Sequence, residues 1–585
     1  ELGDTSVQYD LGEHYASGDG VETDFEKAVY WFSQAAEVGD LRAIEALARC
    51  YFEGRGVEKD EKKGLELLTQ AAEQDSCSAQ CELGLCYENA DGTERDPKAA
   101  AEWYRQAADQ DYAPAQCNLA VCYLNEIGVE KDEAAAVQWL QKAADQGFPR
   151  ALNILGDCHF HGIGMEEDEV QAAECYRKAA QQGHPPANYN LGLCLELGLG
   201  MEKDAEAAVA EYLKSAEQGY APGQCNLAFC YLVGGGCEAD PQAAIPWLEK
   251  AAEQEHPRAL GLLGSCYRDG NGVEQDLARA AGYFEKASAL DYPPSLCDLG
   301  LCYEMGEGVE QDQPRAVELY TRAGELGHAP SQCNLGYCYL RGIGCEADAA
   351  KAIPWLQKAA EQDYPRALDL LGDCYLYGDG VEKDEQRGAD YYRQAAERNY
   401  SVALCDLGLC YENGTGVEMD KAQAVSYYLQ AAERGYVPAQ CNLGYCYLEG
   451  IGCEVDNQKA VEWLEKAAQD GYPRAIALLA GCYRDGRGVA QDAAEAASRY
   501  AQAAEMNYAP ALCDLGLCYE MGDGVEKDEA KAVEYYTRSA ELGNAAAQCN
   551  LGYCYLRGIG CETDAAKAIP WLERAAEQGH PRALD

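Results

Sequence analysis

A leucine recurs every 36 residues from Leu11 to Leu551, without one insertion or deletion. Around each of these sixteen leucines the chain has the same residue types: Gly nine residues later, Asp thirteen later, then usually an aromatic pair and a pair of small residues. A strict period of this length is typical of repeat proteins, in which each unit shares its core with its neighbours. The pattern predicts one continuous array over residues 1–585 rather than several unrelated domains.

Each 36-residue repeat is expected to be a pair of helices. In the eleventh repeat, Leu371 and Tyr375 lie one helical turn apart, which places them on one face of a first helix. Gly378 and Gly380 then end that helix, because glycine adopts positive φ without steric cost. Asp384 is expected to cap a second helix by accepting from its unpaired backbone N–H groups.

The sequence also has a longer period of 108 residues, which is three repeats. Cys-Asn-Leu recurs at this interval, beginning at Cys117, and Arg-Ala recurs at the same interval, beginning at Arg42. Duplication of a three-repeat block explains both series. The last residues, 581–585, copy residues 365–369, where another first helix begins, so we expect them to start a further, truncated repeat.

The residues from Ala367 to Ala396 resemble the Sel-one-like repeat, a branch of the tetratricopeptide superfamily, and the resemblance covers essentially the whole chain. It implies an all-α, right-handed superhelix with the first helices on the concave side, and a non-catalytic scaffold for protein–protein interaction. The many cysteines make the chain similar to the cysteine-rich bacterial members, which are exported and stapled by disulfides. Their usual bonds join the end of a second helix to the next first helix. Here the corresponding small pairs, such as Ala359-Ala360, contain no cysteine.

Composition and motifs exclude several functions. Lys and Arg number 47 against 100 Asp and Glu, a formal charge of −53 that disfavours nucleic acid and anionic membrane surfaces. No apolar run approaches the ~18 residues of a membrane span. No catalytic motif is present, and the 7 His form no recurring pair. The repeated Asp suits helix capping better than calcium, which needs several oxygen ligands. We therefore expect no enzyme activity, no cofactor and no metal.

The 30 cysteines occupy three recurring positions: three residues after the leucine, two before it and ten after it. If the cysteine three after the leucine faces the next first helix, the pairs between repeats are Cys50–Cys81, Cys86–Cys117, Cys194–Cys225, Cys266–Cys297, Cys302–Cys333, Cys374–Cys405, Cys410–Cys441, Cys482–Cys513 and Cys518–Cys549. Where that partner is missing, pairs within one repeat are expected: Cys230–Cys237, Cys338–Cys345, Cys446–Cys453 and Cys554–Cys561. Cys158–Cys175 is a further candidate, and Cys77 and Cys122 have no assigned partner.

Disulfides at these positions would place the protein in an oxidising compartment: secreted, at the cell surface or in the periplasm. Two alternatives remain open. Small buried thiols pack well in helical cores, and rows of thiols can bind metal, although Cys-x4-Cys spacing does not converge tetrahedrally.

The concave face that the resemblance implies is the candidate binding surface for a protein or peptide. It is expected to include the positions two and five after each leucine and five before it. These positions carry aromatic and arginine side chains, which are common anchors in protein interfaces: Phe229, Tyr337, Tyr445, Tyr553, Arg150, Arg258, Arg366 and Arg474, with Asp157 and Asp373 among them. The alternative is that these side chains only pack and pair locally.

Three functions remain possible at this stage. The first is an exported, disulfide-braced interaction scaffold that binds its partner on the concave face. The second is a structural spacer or an array that assembles with itself end to end, which nearly identical blocks would suit. The third is a metal or redox buffer that uses the thiols.

Overall fold

The structure is a computed structural model that describes residues 5–584, and within these residues it contains helices and turns but no strand. The chain forms two compact units, Glu1–Tyr292 and Pro293–Asp585. The helices of the first unit are α1 (Thr5–Ser17), α2 (Phe25–Glu37), α3 (Leu41–Glu53), α4 (Glu61–Ala72), α5 (Cys77–Asn89), α6 (Pro97–Asp109), α7 (Ala113–Asn125), α8 (Glu133–Asp145), α9 (Pro149–His161), α10 (Glu169–Ala180), α11 (Pro185–Leu197), α12 (Ala205–Glu217), α13 (Ala221–Val233), α14 (Pro241–Glu253), α15 (Pro257–Asp269) and α16 (Leu277–Ala289).

The helices of the second unit are α17 (Pro293–Met305), α18 (Gln313–Glu325), α19 (Ala329–Arg341), α20 (Ala349–Glu361), α21 (Pro365–Tyr377), α22 (Glu385–Glu397), α23 (Ser401–Asn413), α24 (Lys421–Glu433), α25 (Val437–Glu449), α26 (Asn457–Gln469), α27 (Pro473–Asp485), α28 (Ala493–Glu505), α29 (Ala509–Met521), α30 (Glu529–Glu541), α31 (Ala545–Arg557), α32 (Ala565–Glu577) and α33 (Pro581–Leu584). The expected start of a further repeat is present as α33, although Asp585 lies outside the described residues. The all-α repeat fold is confirmed, and the single continuous array with a right-handed twist stays a prediction.

The helix boundaries follow from the repeated Gly and Asp residues. In the eleventh repeat, α21 ends at Gly378, whose φ of +83° is left-handed. The side chain of Asp384 then caps α22 by accepting a hydrogen bond of 3.0 Å from the backbone N–H of Arg387. All sixteen second helices, from α2 to α32, begin with an Asp that caps in this way, so the predicted capping role is confirmed.

Most cores are built from the repeat leucine and an aromatic ring of the second helix, and in the others a leucine such as Leu464 takes the place of the ring. Leu407 and Tyr428 are fully buried, and a Cβ on Gly408 would lie only 2.6 Å from the tyrosine ring, so glycine is required for this approach. The Tyr428 hydroxyl donates to Glu412 at 2.6 Å, which satisfies the polar end of the buried ring. Burying each such side chain contributes about 2 kcal/mol.

Neighbouring repeats are also joined by a ladder of glutamines. In the second unit, the side-chain amide of Gln362 donates to Gln332 at 2.9 Å, and Gln332 donates to the carbonyl of Gly324 at 2.9 Å. The same tie recurs at Gln110–Gln80, Gln146–Gln116, Gln254–Gln224 and Gln578–Gln548. A buried amide whose donor and acceptor are both used fixes the register between repeats as well as their contact.

Candidate interaction face on the first helices

The predicted binding residues lie on one face of the first helices, which we call the first-helix face. It consists of the residues two after, one before and five before each repeat leucine. Phe229, Tyr337, Tyr445 and Tyr553 are half-buried there, as are three of the four predicted arginines, while Arg150 is exposed. The face therefore offers ring edges and guanidinium groups to solvent without exposing whole aromatic side chains.

The structure brings the predicted aromatic and arginine residues together in pairs. An arginine at the start of one first helix stacks over the ring of the preceding first helix, with guanidinium-to-centroid distances of 4.8 Å for Arg258–Phe229, 5.1 Å for Arg366–Tyr337 and 5.4 Å for Arg474–Tyr445. Arg582 lies over Tyr553 in the same way at 4.4 Å. Each contact is a cation–π interaction worth about 0.5–1 kcal/mol at a half-exposed site.

Arg258, Arg366 and Arg474 are also held by an asparagine that sequence reasoning did not select. Arg366 donates to the side-chain oxygen of Asn334 at 2.7 Å, and the amide of Asn334 lies 3.6 Å from the Cys297 sulfur. Asn442 serves Arg474 in the same way at 2.7 Å. The signal was available, because Asn in Cys-Asn-Leu occurs only in the repeat that precedes the arginine.

Arg150 is the one predicted arginine whose preceding first helix has no aromatic residue at the position two after the leucine. It donates to Asn118 at 2.8 Å, as its counterparts do, but Val121 stands at the position two after the leucine where the other blocks have Phe or Tyr. The asparagine contact, rather than the ring, therefore sets the direction of the arginine.

A second set of anchors was missed by the sequence analysis. The position two after the leucine is a leucine in another repeat of each block, and its exposed fraction is 39% at Leu85, 36% at Leu301, 39% at Leu409 and 41% at Leu517. These apolar side chains recur every 108 residues on the same face as the arginine–aromatic pairs. The sequence did not predict this exposure, because the leucine two residues earlier in the same helix is buried and a second leucine was expected to be buried as well.

The third repeat of a block carries acidic residues at this face. In the second unit, the Tyr392 hydroxyl donates to Asp373 at 2.6 Å, and Asp369 and Asp406 lie close enough for their charges to affect one another. Burial, followed by the charges of Asp406 and Asp373, raises the pKa of Asp369 to about 8. Burial also raises the pKa of Asp406 to about 7.

Leaving Cys302 aside, the cysteines are free thiols. The structure places the partners of each predicted pair within a repeat in one core cluster: Cys230–Cys237, Cys338–Cys345, Cys446–Cys453, Cys554–Cys561 and Cys158–Cys175. The Cys237 sulfur lies 3.6 Å from the carbonyl oxygen of Cys230. Cys77 and Cys122, which had no assigned partner, pack with Cys81.

The pairs predicted between repeats stay predictions, and for one of them the two cysteines pack in different cores. Cys410 packs in the core around Tyr428, whereas its predicted partner Cys441 packs in the next core, with Leu464. The cysteine three residues after the repeat leucine faces the preceding repeat, whereas the prediction assumed that it faces the next one. Cys446 thus shares the Tyr428 core with Cys405. The Cys266–Cys297 pair, which would join the two units, stays a prediction.

Burial makes most of these thiols unreactive. It raises the pKa of Cys405, Cys410 and Cys446 to about 12, so they stay protonated at neutral pH and are poor nucleophiles and poor metal ligands. Among the residues that the structure describes, no group of His, Cys, Asp and Glu has the arrangement to hold a metal ion. None of the helices in that part of the chain combines the length and apolar character that a bilayer crossing demands.

The largest groove of the second unit lies away from this face, along the loops before α22 and α24. It is lined mainly by charged loop residues such as Glu382, Lys383 and Glu418. Arg387 covers the Tyr375 ring at 4.2 Å on its wall. The groove is open and polar, so it offers fewer apolar anchors than the first-helix face.

Comparison with known proteins agrees with the repeat architecture. The Sel1 repeat matches the chain sixteen times in succession, from residues 5–40 to residues 545–580. The crystal structure of c5321, described as a protective antigen present in uropathogenic Escherichia coli strains displaying an SLR fold, is 32% identical, with a TM-score of 0.55 over 76% of this chain and 96% of that one. A Sel1 repeat protein from Oxalobacter formigenes is 30% identical over 42% of this chain and 96% of that one, with a TM-score of 0.39.

None of the curated proteins compared matches the chain. The sixteen matches leave only a few residues at either end uncovered. Repeats of this type generally serve as scaffolds for protein–protein interaction and are typically non-catalytic. The chain belongs to the Sel1 repeat family.

Proposed function

We propose that the protein is an exported, non-catalytic scaffold that binds an extended protein or peptide along its first-helix face. The observation that carries this proposal is a set of side chains at the position two after the repeat leucine. An exposed leucine stands there in four blocks, at Leu85, Leu301, Leu409 and Leu517, whereas Leu193 is half-buried. In four blocks the following repeat has an aromatic residue at the same position, with an arginine over its ring. Leu409 and the pair Tyr445–Arg474 form one such set. Aromatic and arginine side chains on a preorganised surface are typical binding anchors.

The charge of the protein indicates the kind of partner. A net charge of −53 repels acidic partners and steers neutral or basic ones toward the surface. The arginines of the first-helix face are already engaged by asparagine and aromatic groups, so the acidic residues around them dominate the local field. A partner with basic residues and regularly spaced apolar side chains fits this surface.

Substitution of the exposed leucines tests the proposal. We expect Leu409→Ser combined with Leu517→Ser to weaken partner binding at least tenfold, because interface anchors commonly cost more than about 1.4 kcal/mol when removed. The immobilised protein would be incubated with the extracellular fraction of the cells that make it, and retained proteins quantified by mass spectrometry.

Two other exposed leucines provide the matched control. Leu326 and Leu542 are 50% and 53% exposed but lie at the ends of second helices, away from the first-helix face. Leu326→Ser combined with Leu542→Ser should leave partner recovery unchanged. Equal losses in the two double variants would show that binding depends on general hydrophobicity and would refute the assignment of this face.

Export is supported by two observations. The related c5321 is described as a protective antigen, a description that suits a protein accessible outside the cell. The two cysteines of each pair predicted within a repeat also pack in one core, which supports their joining in an oxidising compartment. Joining each pair would tie a loop or second helix to its own first helix.

Thiol counting tests this part of the proposal. For protein taken from the oxidising compartment and denatured without reductant, we expect about twenty reactive thiols, since five disulfides use ten of the 30 cysteines. The count should return to 30 after reduction. Cys237→Ser should raise the count before reduction by one, because it releases Cys230. A count of 30 without reductant would exclude the oxidised state and remove this support for export.

A further inference from the structure

Three aspartates lie on neighbouring first helices of the second unit. Asp369 lies two residues before the repeat leucine of α21, Asp373 lies two residues after it, and Asp406 lies one residue before the leucine of α23. At the first of these positions most other repeats carry a cysteine or a small or amide residue. We call the three residues the aspartate cluster.

Asp369 is the buried member of the cluster. Its exposed fraction is 6%, and its Oδ1 atom has no hydrogen-bond partner. Burial raises its pKa most, and the negative charges of Asp406 and Asp373 add to this rise. A buried carboxylate oxygen without a donor is costly, so this position calls for a proton or a positive group.

The first unit carries amides at two of the same positions. There Asn153 and Asn190 stand in place of Asp369 and Asp406, Asp157 corresponds to Asp373, and the Asn190 amide donates to Asn153 at 3.1 Å and to Asp157 at 3.3 Å. The framework therefore brings these positions within hydrogen-bond distance. In the first unit amide groups supply the donors, whereas the second unit has the same arrangement with carboxylates only.

The cations nearby do not neutralise the cluster. Arg366 acts on Asp369, but its guanidinium group is hydrogen bonded to Asn334 and stacked over Tyr337. Arg341 acts on Asp373 and also lies over Tyr337, at 5.7 Å. Burial and mutual repulsion outweigh both, since the pKa of each of the three carboxyls is raised.

Tyrosines lie near the cluster. Burial, followed by the charge of Asp369, raises the pKa of Tyr400 to about 12. Burial, followed by the charges of Cys405, Asp406 and Asp369, also raises the pKa of Tyr436. Tyr377, which the charges of Asp373 and Asp406 affect, is 68% exposed and lies at the solvent side. Carboxylates with aromatic side chains around them suit an organic cation, which gains both charge pairing and cation–π contact.

We propose that Asp369, Asp373 and Asp406 bind a lysine or arginine side chain of a peptide partner. The carboxylates are not arranged to hold a metal ion, as found for every residue that the structure describes, whereas an ammonium or guanidinium group can pair with carboxylates through several N–H donors. This inference rests on the proposed function, from which it takes a peptide as the partner. It adds that the peptide has a lysine or arginine side chain where it meets the aspartate cluster.

Calorimetric titration of the whole protein with the peptide acetyl-Gly-Arg-Gly-amide tests the site. At pH 8 and 0.15 M NaCl, where fields beyond about 8 Å are screened, we expect saturable binding that weakens at least tenfold in Asp369→Asn combined with Asp406→Asn. This variant copies the amides that the first unit carries at Asn153 and Asn190, so the fold tolerates them. The lysine analogue should also bind, and a norleucine analogue should not.

A variant with the same change in charge is the control. Glu361 and Asp470 are exposed in the second unit and lie outside the cluster, so Glu361→Gln combined with Asp470→Asn should change the affinity less than twofold. Equal weakening in both double variants would overturn the site, because the general acidic field would then explain binding. Variant-sensitive binding of calcium in place of the peptide would overturn the proposed ligand class.

The site and the proposed function can fail separately. Loss of peptide binding in Asp369→Asn/Asp406→Asn, together with unchanged partner recovery in the leucine variants, would support the cation site and refute the scaffold proposal. The opposite pair of results would support the scaffold and refute the cation site.

Discussion

Replacing Gly416 with alanine is expected to destabilise the second unit by about 3 kcal/mol or more. Gly416 lies in the loop between α23 and α24 at a φ of +68°, and a Cβ there would lie 1.9 Å from the carbonyl oxygen of Glu385 in the preceding repeat. The obstacle is backbone, which cannot rotate away as a side chain can. The substitution would push two repeats apart at their loop edge and weaken the coupling on which a repeat array depends.

Gly435 is the matched control for this prediction. Its φ of +82° is also left-handed, but nothing lies within 4 Å of the position of its Cβ. Gly435→Ala should therefore cost only the left-handed strain, about 1–2 kcal/mol. Urea unfolding followed by circular dichroism would compare the two, and Gly416→Ala should also broaden or split the transition. Equal losses of stability would mean that the contact with Glu385 contributes nothing.

Asp369→Asn is expected to stabilise the protein at high pH while changing little at low pH. The folded protein holds the Asp369 proton with a pKa of about 8, whereas the unfolded chain releases it near pH 4. The stability that this proton contributes is complete below pH 4 and is lost as the pH rises from 4 through 8. At about 1.4 kcal/mol per pH unit, the wild type should lose about 2–3 kcal/mol more than the variant between pH 6 and pH 9.

Hydrogen exchange of α21 and α23, measured by mass spectrometry at pH 6 and 9 and corrected for the intrinsic rates, would report this loss where it occurs. Asp406→Asn should act in the same direction, since the pKa of Asp406 is raised to about 7. Asp470→Asn is the control, because this exposed aspartate lies outside the cluster. If Asp369→Asn and Asp470→Asn show the same pH dependence, the general acidity of the protein explains the effect and Asp369 does not.

The sequence predicted the local structure well because its signals act locally. A leucine and a tyrosine four residues apart define one face of a helix, and glycine or aspartate at a fixed distance decides where that helix ends and the next begins. Each of these effects depends on a few neighbouring residues. The helix pairs, the capping by Asp384 and its counterparts, and the need for glycine beside Tyr428 could therefore be predicted.

The candidate site was predicted only in part. The position rules selected Tyr445 and Arg474 together, yet neither their stacking nor the asparagine that holds the arginine was foreseen. Exposed leucines such as Leu409 were missed because hydrophobic residues in a periodic pattern suggest burial. Asp373 was noticed, but Asp369 and Asp406 were not, since their interaction depends on two first helices that are 36 residues apart.

The cysteines show most clearly where local information ends. The sequence determined that their positions recur and that Cys446 and Cys453, seven residues apart, belong to one repeat. Which cysteines of neighbouring repeats share a core was decided by the direction in which each first helix faces its neighbours. That direction comes from the packing of rings such as Tyr428 between successive helices, so Cys405 lies with Cys446 and not with a cysteine of the preceding repeat. The sequence alone determines the period at which the cysteines recur. Which neighbouring helix each cysteine contacts depends on how the helices pack, and only the tertiary structure shows this.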